Sequence, residues 1–335
     1  MKKMFTSTLV IFAVCALVAL VGCEGEKGAD GVAGPDGLAG AAGTASCGSC
    51  HDVSTDILAK QIQWEQSGHA NGMGYWYAGA RTGCAECHDS DGFTTKMAGG
   101  EAVGNDNPTP QNCRTCHNIH TNYDETDYSL TTTAAVTLTG AVASEVTIDI
   151  GKGNLCANCH QTRARDELYV GGPDVDITST HWGPHHGPQS NVLTGNSGYE
   201  VAGSLAYDDS PHAAMIADGC VTCHMAAPGT TSGGHTFKPN TTSCEECHSD
   251  VSGFDINGVQ TEIKELLHTL AALLEEEGAL HEEEGAYHPI AGITLTSAKA
   301  GALFNFIMMQ VEDGSFGVHN YKYTKALLQN SIEVF

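Results

Sequence analysis

The clearest alternation of hydrophobic and polar residues lies in the C-terminal part of the chain. Within "TEIKELLHTLAALLEEEGALHEEE" the large aliphatic residues recur at the three- and four-residue spacing of an amphipathic helix. This stripe predicts a helix that ends near Gly278. The segments "SAKAGALFNFIMMQVED" and "YTKALLQNSI" predict a second and a third helix. The stripe consists of Ile263, Leu266, Leu267, Leu270, Leu273 and Leu274.

Residues 47–256 lack such periodicity, and little regular structure is expected there. One exception is Leu130 to Gly151, which is rich in threonine and valine and is broken by Thr139 and Gly140. This composition predicts a short β-hairpin insertion. The predicted fold class is therefore mainly α with extensive irregular structure, a small β-hairpin insertion and a C-terminal helical region.

The N-terminal segment has the pattern of a secretory signal. Lys2 and Lys3 precede an apolar run that reaches Val21. The run is close to transmembrane length, so a retained anchor helix is the alternative. The tetrapeptide "LVGC" at 20–23 resembles the lipobox of bacterial lipoproteins, in which cleavage precedes a cysteine that becomes acylated. We therefore expect cleavage before Cys23 and lipidation of its thiol, which would hold the protein on a membrane surface. The residue after Cys23 is glutamate rather than the aspartate of the inner-membrane retention signal, which favours the outer membrane.

A glycine repeat of period three follows the lipobox. Collagen has this Gly-x-y pattern, but seven triplets with one proline, Pro35, make a weak triple helix. A tether between lipid and folded domain is the favoured interpretation, and a trimeric stalk is the alternative. The repeat comprises Gly25, Gly28, Gly31, Gly34, Gly37, Gly40 and Gly43.

These patterns predict four parts of the chain. Residues 1–22 form a lipoprotein signal peptide, and residues 23–46 form a lipid-anchored, collagen-like tether. Residues 47–256 form a domain that contains twelve of the fourteen cysteines. Residues 257–335 form a C-terminal helical region packed on that domain.

The chemistry lies in a pentapeptide that occurs six times, Cys-x-x-Cys-His. In a c-type cytochrome the two thiols of this motif form thioether bonds to haem, and the histidine binds the iron as proximal ligand. The motifs use twelve of the fourteen cysteines and leave Cys15 and Cys23 near the N-terminus. The cysteine pairs are Cys47 and Cys50, Cys84 and Cys87, Cys113 and Cys116, Cys156 and Cys159, Cys220 and Cys223, and Cys244 and Cys247; the histidines are His51, His88, His117, His160, His224 and His248.

Zinc sites and redox disulfides are the alternatives to haem. Zinc sites combine Cys-x-x-Cys pairs two by two, and their geometry does not require a histidine directly after each pair. Six copies with histidine at the same place therefore predict six covalently bound haem c groups, so residues 47–256 are predicted to be a hexahaem cytochrome domain. The chain after cleavage at Cys23 has 313 residues, or about 52 for each haem, so the porphyrins would form much of the interior.

Eleven further histidines could supply the sixth ligand of each iron. His268 and His281 are predicted to be solvated on the surface, and His288 to lie in a loop. Methionine ligation by Met73, Met97, Met215 or Met225 is an alternative. The candidate distal ligands lie in short segments with glycine, proline or aromatic neighbours: His69, His120, His181, His185, His186, His212 and His235, with His319 given less weight.

The sequence positions of three of these candidates limit the irons that they could bind. His185 and His186 are adjacent and are expected to compete for one iron. His120 lies three residues after His117, too close to reach the opposite face of the same porphyrin. It is therefore expected to serve a neighbouring haem.

Several stretches carry a family resemblance. The run from "CGSCH" through "WEQSGHA" to "CAECH" resembles the multihaem cytochrome superfamily of hydroxylamine oxidoreductase, pentahaem nitrite reductase and the tetrahaem carrier of ammonia oxidisers. "SPHAAMIADGCVTCHMA", "GGHTF" and "CEECH" resemble its later haem sites, and "GVHNYKYTKALL" resembles its C-terminal ending. With the lipobox, the chain is similar to outer-surface cytochromes of metal-reducing bacteria. The nitrite reductase motif Cys-x-x-Cys-Lys does not occur in this sequence.

Composition limits the partners. The net charge of −25 becomes −27 when residues 1–22, with two lysines and no acid, are removed. Such a charge disfavours nucleic acid and favours cationic or metal-bearing partners. We expect an electron carrier at the outer membrane, at the cell surface or outside the cell, that serves other cytochromes or extracellular metal oxides. A periplasm-facing location and self-assembly into an oligomer or filament stay open. The alternative function is reduction of a small nitrogen or sulfur oxyanion at one haem with an open site.

Overall fold

The computed structural model describes residues 50–51, 56–140, 145–163, 165–229 and 231–335. The predicted signal peptide, Cys23, the Gly-x-y tether and Cys47 lie outside these residues, as does part of the loop between the predicted hairpin strands. The chain divides between Thr44 and Ala45, and every described residue belongs to the second unit. Among the described residues, no helix combines the length and apolar character needed to cross a bilayer.

Helices dominate the regular structure, and those before residue 257 are short. The α-helices of the described residues are α1 (Asp56–Glu65), α2 (Gly68–Asn71), α3 (Gly74–Ala78), α4 (Ala85–His88), α5 (Ser90–Met97), α6 (Cys113–Cys116), α7 (Asn154–Ala157), α8 (Gln189–Leu193), α9 (His212–Met215), α10 (Cys220–His224), α11 (Val259–Glu276), α12 (Ser297–Phe306) and α13 (Tyr321–Ile332). Short 3₁₀ turns occur at Glu125–Tyr128, Gly151–Gly153, Gly234–Thr236, Thr241–Ser243 and Ile256–Gly258. A π-helix continues α12 over Ile307–Asp313.

The strands form three small antiparallel pairs. They are β1 (Val136–Leu138) with β2 (Val146–Ile148), β3 (Val175–Ile177) with β6 (Ile293–Leu295), and β4 (Leu280–Glu283) with β5 (Ala286–Pro289). The first pair is the predicted hairpin, with Thr137 opposite Thr147. Together these elements give a mainly helical chain with small antiparallel sheets.

The predicted C-terminal helices are present. Helix α11 ends at Glu276, two residues before Gly278, whose φ of +72° suits glycine at a helix end. The predicted stripe faces the core at Ile263, Leu267, Leu270 and Leu274, while Leu266 and Leu273 lie at its edge. The second predicted helix differs from expectation in its second half, which is π-helical.

The main hydrophobic core joins the C-terminal helices to residues 168–199. Trp182 and Tyr199 are among its largest buried side chains and come from the middle of the chain. Strand β3 reaches across to β6, and Asn305 of α12 bonds both the amide and the carbonyl of Tyr199. The Tyr199 ring lies so close to Gly301 that a Cβ there would stand 2.2 Å from it. The C-terminal helices and this middle segment therefore share one core.

One expectation about the C-terminal part is wrong. His288 was expected in a loop, but it lies in β5 directly opposite His281 of β4. The two strands are joined by Glu284 and Gly285, both with positive φ, which suits a tight hairpin turn. His268 is exposed, as predicted.

Replacing Leu270 with alanine should lower the free energy of unfolding by about 2–5 kcal/mol, because the removed methyl groups leave a cavity in the core. Leu270 has no exposed surface. Glu265, on the exposed face of α11, is the matched control, and Glu265→Ala should change stability by less than about 0.5 kcal/mol. Denaturant unfolding followed by far-ultraviolet circular dichroism measures both. Equal losses in the two variants would contradict this placement of the core.

Candidate functional site

The five Cys-x-x-Cys-His motifs that the structure describes in full fold as single helical turns. The amide of His88 donates to the carbonyl oxygen of Cys84 at 3.0 Å, and the same bond joins His117 to Cys113 and His160 to Cys156 at 2.9 Å. The amide of His248 likewise donates to the carbonyl oxygen of Cys244, at 2.8 Å. In a helical turn, residues three and four positions apart share one face. The two thiols and the imidazole of a motif are therefore presented on the same side of the backbone.

Each of the six motif histidines has a second histidine ring opposite it. The ring centres are 6.0 to 6.3 Å apart in every case. These histidine pairs are His51 with His120, His88 with His185, His117 with His235, His160 with His69, His224 with His319, and His248 with His212. The arrangement brings one motif histidine and one non-motif histidine together six times.

The spacing matches two imidazoles bound to opposite sides of one metal ion. With a metal–nitrogen bond of about 2.0 Å and about 1.15 Å from that nitrogen to the ring centre, the two ring centres would be about 6.3 Å apart. Aromatic rings in ordinary contact also have centres about 4.5–7 Å apart, but here the same distance recurs at all six motif histidines. The distance in each pair therefore suits a metal ion between the two rings.

Hydrogen bonds fix the orientation of five of the paired rings. The Nδ1 atom of His117 donates to the carbonyl oxygen of Tyr128 at 2.7 Å, and that of His224 to the carbonyl oxygen of Phe237 at 2.9 Å. Since a carbonyl oxygen only accepts, the proton must be on Nδ1, and the Nε2 lone pair is available to a metal. The other three bonds run from His212 to Val318 O at 2.7 Å, from His160 to Gln189 Oε1 at 3.1 Å and from His319 to Asp313 Oδ1 at 2.6 Å.

Burial keeps several paired rings neutral. Burial, with a smaller effect from His160, lowers the pKa of His69 to about 4. Burial and the nearby Arg163 lower the pKa of His185 to about 4 as well. Burial also lowers the pKa of His319, but the Asp313 carboxylate more than offsets this and the pKa lies above its ordinary value. At neutral pH His69 and His185 are thus in the unprotonated form that metal binding requires.

Neighbouring motifs lie close to one another at their cysteines. The Cys87 thiol contacts the carbonyl oxygen of Asn158, in a different motif, at 3.7 Å, and Cys159 of that motif lowers the pKa of Cys87. Likewise, the nearby Cys220 lowers the pKa of Cys156. The motif of Cys156 and Cys159 therefore lies between two others, those of Cys84–His88 and Cys220–His224. The order of the sites in space differs from their order along the chain.

Two aromatic residues connect further sites. The Tyr128 hydroxyl donates to Cys50 Sγ at 2.9 Å, while the carbonyl oxygen of the same residue orients His117. The Phe237 ring lies edge-on to His69 and His235, with centres 4.7 and 6.0 Å away. Its carbonyl oxygen orients His224. Phe237 thus contacts a histidine of three different pairs.

The segment from Glu312 to His319 contributes to three histidine pairs. His319 is itself a pair member, and the carbonyl oxygen of Val318 orients His212. The backbone oxygen of Glu312 accepts a bond from Gln189 at 2.7 Å, and Gln189 in turn orients His160. Helix α12 and its π-helical extension lead directly into this segment. The C-terminal helices therefore position parts of the site although they contain no cysteine.

Six of the eight candidate distal histidines occupy a pair: His69, His120, His185, His212, His235 and His319. Of the two adjacent candidates, His185 faces His88, whereas His186 points to Glu312 Oε2 at 2.6 Å. His181 is exposed, and no described motif histidine lies opposite it. His319, which the sequence ranked lowest, faces His224.

The other candidate metal-binding residues are the cysteines and the methionines. All described cysteines, from Cys50 to Cys247, are free thiols without a disulfide. Within the described ranges there is no group of three or more histidine, cysteine or acidic side chains arranged to hold a metal ion. Met73 and Met215 are each 73% exposed, and the group opposite every motif histidine is another histidine. The described geometry thus presents paired imidazoles beside paired thiols.

Comparison with known proteins gave no relative of this chain. No family model matches it, and neither a curated protein nor a solved structure does. The likeness to multihaem cytochromes therefore stays a prediction from the motifs themselves.

Proposed function

We propose that this protein is an electron-transfer cytochrome with six covalently attached haem c groups, each held by two histidines. The observation that carries the proposal is the set of six histidine pairs, all with ring centres 6.0 to 6.3 Å apart. One member of each pair directly follows a Cys-x-x-Cys pair in the sequence. Thiols and imidazoles are the groups that c-type haem attachment requires.

The residues present fit this cofactor. At each site the two motif cysteines would form the thioether bonds, and the motif histidine would bind one face of the iron. The paired non-motif histidine would bind the other face. Because Nδ1 of five paired rings already donates to a protein oxygen, the tautomer and orientation suit ligation through Nε2.

Bound haem c supplies a one-electron iron couple at each site. The chain's own contribution would be to offer two imidazoles to each metal, which would exclude small molecules from it. Hydrogen bonds donated to the carbonyl oxygens of Tyr128, Phe237 and Val318 hold three of the rings in one orientation. A fixed ligand set lowers the rearrangement that accompanies electron transfer, and histidine rather than methionine ligation favours low reduction potentials.

Contacts between motifs support passage of electrons from site to site. The contact of Cys87 with Asn158 and the proximity of Cys156 to Cys220 bring three attachment points together. Tyr128 links Cys50 to His117 through its hydroxyl and its carbonyl oxygen. Cofactors attached at these positions would lie close to one another, as an electron conduit requires.

The proposed location and partners follow from sequence. The lipobox at Cys23 and the Gly-x-y tether would hold the haem domain at the surface of the outer membrane. The charge of −27 after signal cleavage favours cationic or metal-bearing partners. We propose that other cytochromes or extracellular metal oxides accept the electrons. The alternative, a reductase of a small oxyanion, would need one motif histidine without a partner ring.

The adjacent residues His185 and His186 give a matched test of ligation. His185→Ala should open one iron of six, because His185 faces His88 at 6.1 Å. We expect a new high-spin signal in electron paramagnetic resonance and binding of about one carbon monoxide per protein after reduction. His186→Ala should change neither, since His186 contacts Glu312 instead. Carbon monoxide binding by the His186 variant, or its absence in the His185 variant, would contradict the assignment.

The unmodified protein should contain six haems and bind no carbon monoxide in stoichiometric amount. The pyridine haemochromogen absorbance measures the haem content, and a carbon monoxide difference spectrum of the reduced protein detects an open site. Both axial positions are filled by imidazole in the proposal, so the ferric spectrum should be entirely low-spin. Stoichiometric binding of carbon monoxide or nitrite at one haem would instead support the reductase.

Cys23 should be the N-terminal residue of the exported protein and should carry acyl chains. Mass spectrometry of the N-terminal peptide tests this, and Cys23→Ser should release the protein from the membrane fraction with its haems unchanged. Deletion of residues 25–45 should likewise leave the visible spectrum intact, because the tether lacks the motif cysteines and histidines. An unmodified peptide spanning Gly22 and Cys23 would contradict anchorage.

A further inference from the structure

One histidine pair differs from the others in the charge of its hydrogen-bond partner. His117, His160, His212 and His224 donate to neutral carbonyl or amide oxygens. His319 donates to the carboxylate of Asp313, with Nδ1 and Oδ1 2.6 Å apart. The Asp313 side chain is only 1% exposed, so water does little to screen its charge.

The backbone around Asp313 holds this carboxylate in place. Asp313 is the last residue of the π-helix, and Gly314 follows with a φ of +62°. That turn brings the Ser315 amide to 3.1 Å from Oδ2, and the Ser315 hydroxyl also donates to Oδ2. One carboxylate oxygen is thereby fixed by Ser315, and the other is directed at His319.

A carboxylate in this position changes the imidazole as a ligand. Accepting the Nδ1 proton increases the electron density that Nε2 donates to a metal. The negative charge itself also stabilises the more positive, oxidised state of a nearby iron. Both effects act in the same direction and lower the reduction potential.

We propose that Asp313 is a positioning residue that lowers the reduction potential of the iron held by His224 and His319. The proposal rests on the haem ligation put forward above. It makes the C-terminal helical region a regulator of one site in the electron path, in addition to a scaffold. The neighbouring Glu312 binds His186, which lies outside the described histidine pairs, so its carboxylate does not act through the Nδ1 atom of a paired histidine.

The test compares Asp313→Asn with Glu312→Gln. The two acidic residues are consecutive in the same π-helix, and each carboxylate contacts a histidine Nδ1 at 2.6 Å. Haem content is measured first, and the potentials then follow from a spectroscopic redox titration. We expect the Asp313 variant to keep six haems and to show an upward shift in the potential of one of them. One low-spin resonance should also change its g values. Glu312→Gln removes a neighbouring charge but no hydrogen bond of a paired histidine, so it should leave the g values unchanged and shift the potentials less than Asp313→Asn does.

Asp313→Glu serves as the rescue variant because it keeps the charge and the acceptor oxygens. The reduction potentials of Asp313→Glu should be closer to those of the unmodified protein than the potentials of Asp313→Asn are. Six haems with unshifted potentials in Asp313→Asn would overturn the proposal. So would loss of one haem from that variant, which would give Asp313 a purely structural role. Fewer than six haems in the unmodified protein would instead overturn the proposed function, so the two failures are distinguishable.

Discussion

The approach of two imidazole rings to about 6 Å is the contact that recurs at every motif histidine and links its segment to another part of the chain. Each pair joins segments far apart in the chain, from His212 and His248, 36 residues apart, to His117 and His235, 118 residues apart. Around the motifs, by contrast, the apolar support is small. The core beside the β1–β2 hairpin consists of six buried residues, among them Leu138 and Ile148. Metal bonds across six such pairs would close long loops that the hydrophobic effect alone does not hold, so cofactor attachment and folding would be coupled.

The pairs also determine how the sites relate to one another. Residues that orient a ligand of one pair touch a second pair or a second motif, as Tyr128 and Phe237 do. Cys156 and Cys159 each lie near a cysteine of another motif. Because of this overlap, a substitution at one site alters the surroundings of a neighbouring site through a single shared residue. It also makes the motif of His160 a junction between three parts of the chain.

Much of this site was predictable from the sequence, and the limits have physical causes. The motif cysteines and histidines follow from a short covalent pattern, and α11 follows from the spacing of Ile263, Leu267 and Leu270, because both depend on neighbours in the chain. Partner choice depends on loop geometry instead. His185 and His186 have the same side chain, but His185 adopts a φ of +71° and faces His88 while His186 turns to Glu312. The β3–β6 pairing, between residues more than a hundred positions apart, left no local signal. The β4–β5 hairpin did leave a local signal in the sequence, the Glu284-Gly285 turn.

The position of His319 shows that the C-terminal region contributes to the histidine pairs. His319 had the lowest weight among the sequence candidates, and it lies beyond the last motif. In the fold, the core shared by α11, α12 and Tyr199 fixes the π-helix, and the π-helix delivers Asp313, Val318 and His319 to the histidine pairs. A rigid helical body is better suited to this than the irregular backbone between motifs, because the hydrogen bond from His319 to a buried carboxylate needs a fixed acceptor. The C-terminal helical region thus contains no cysteine, but its packing directly positions His319, a member of one histidine pair.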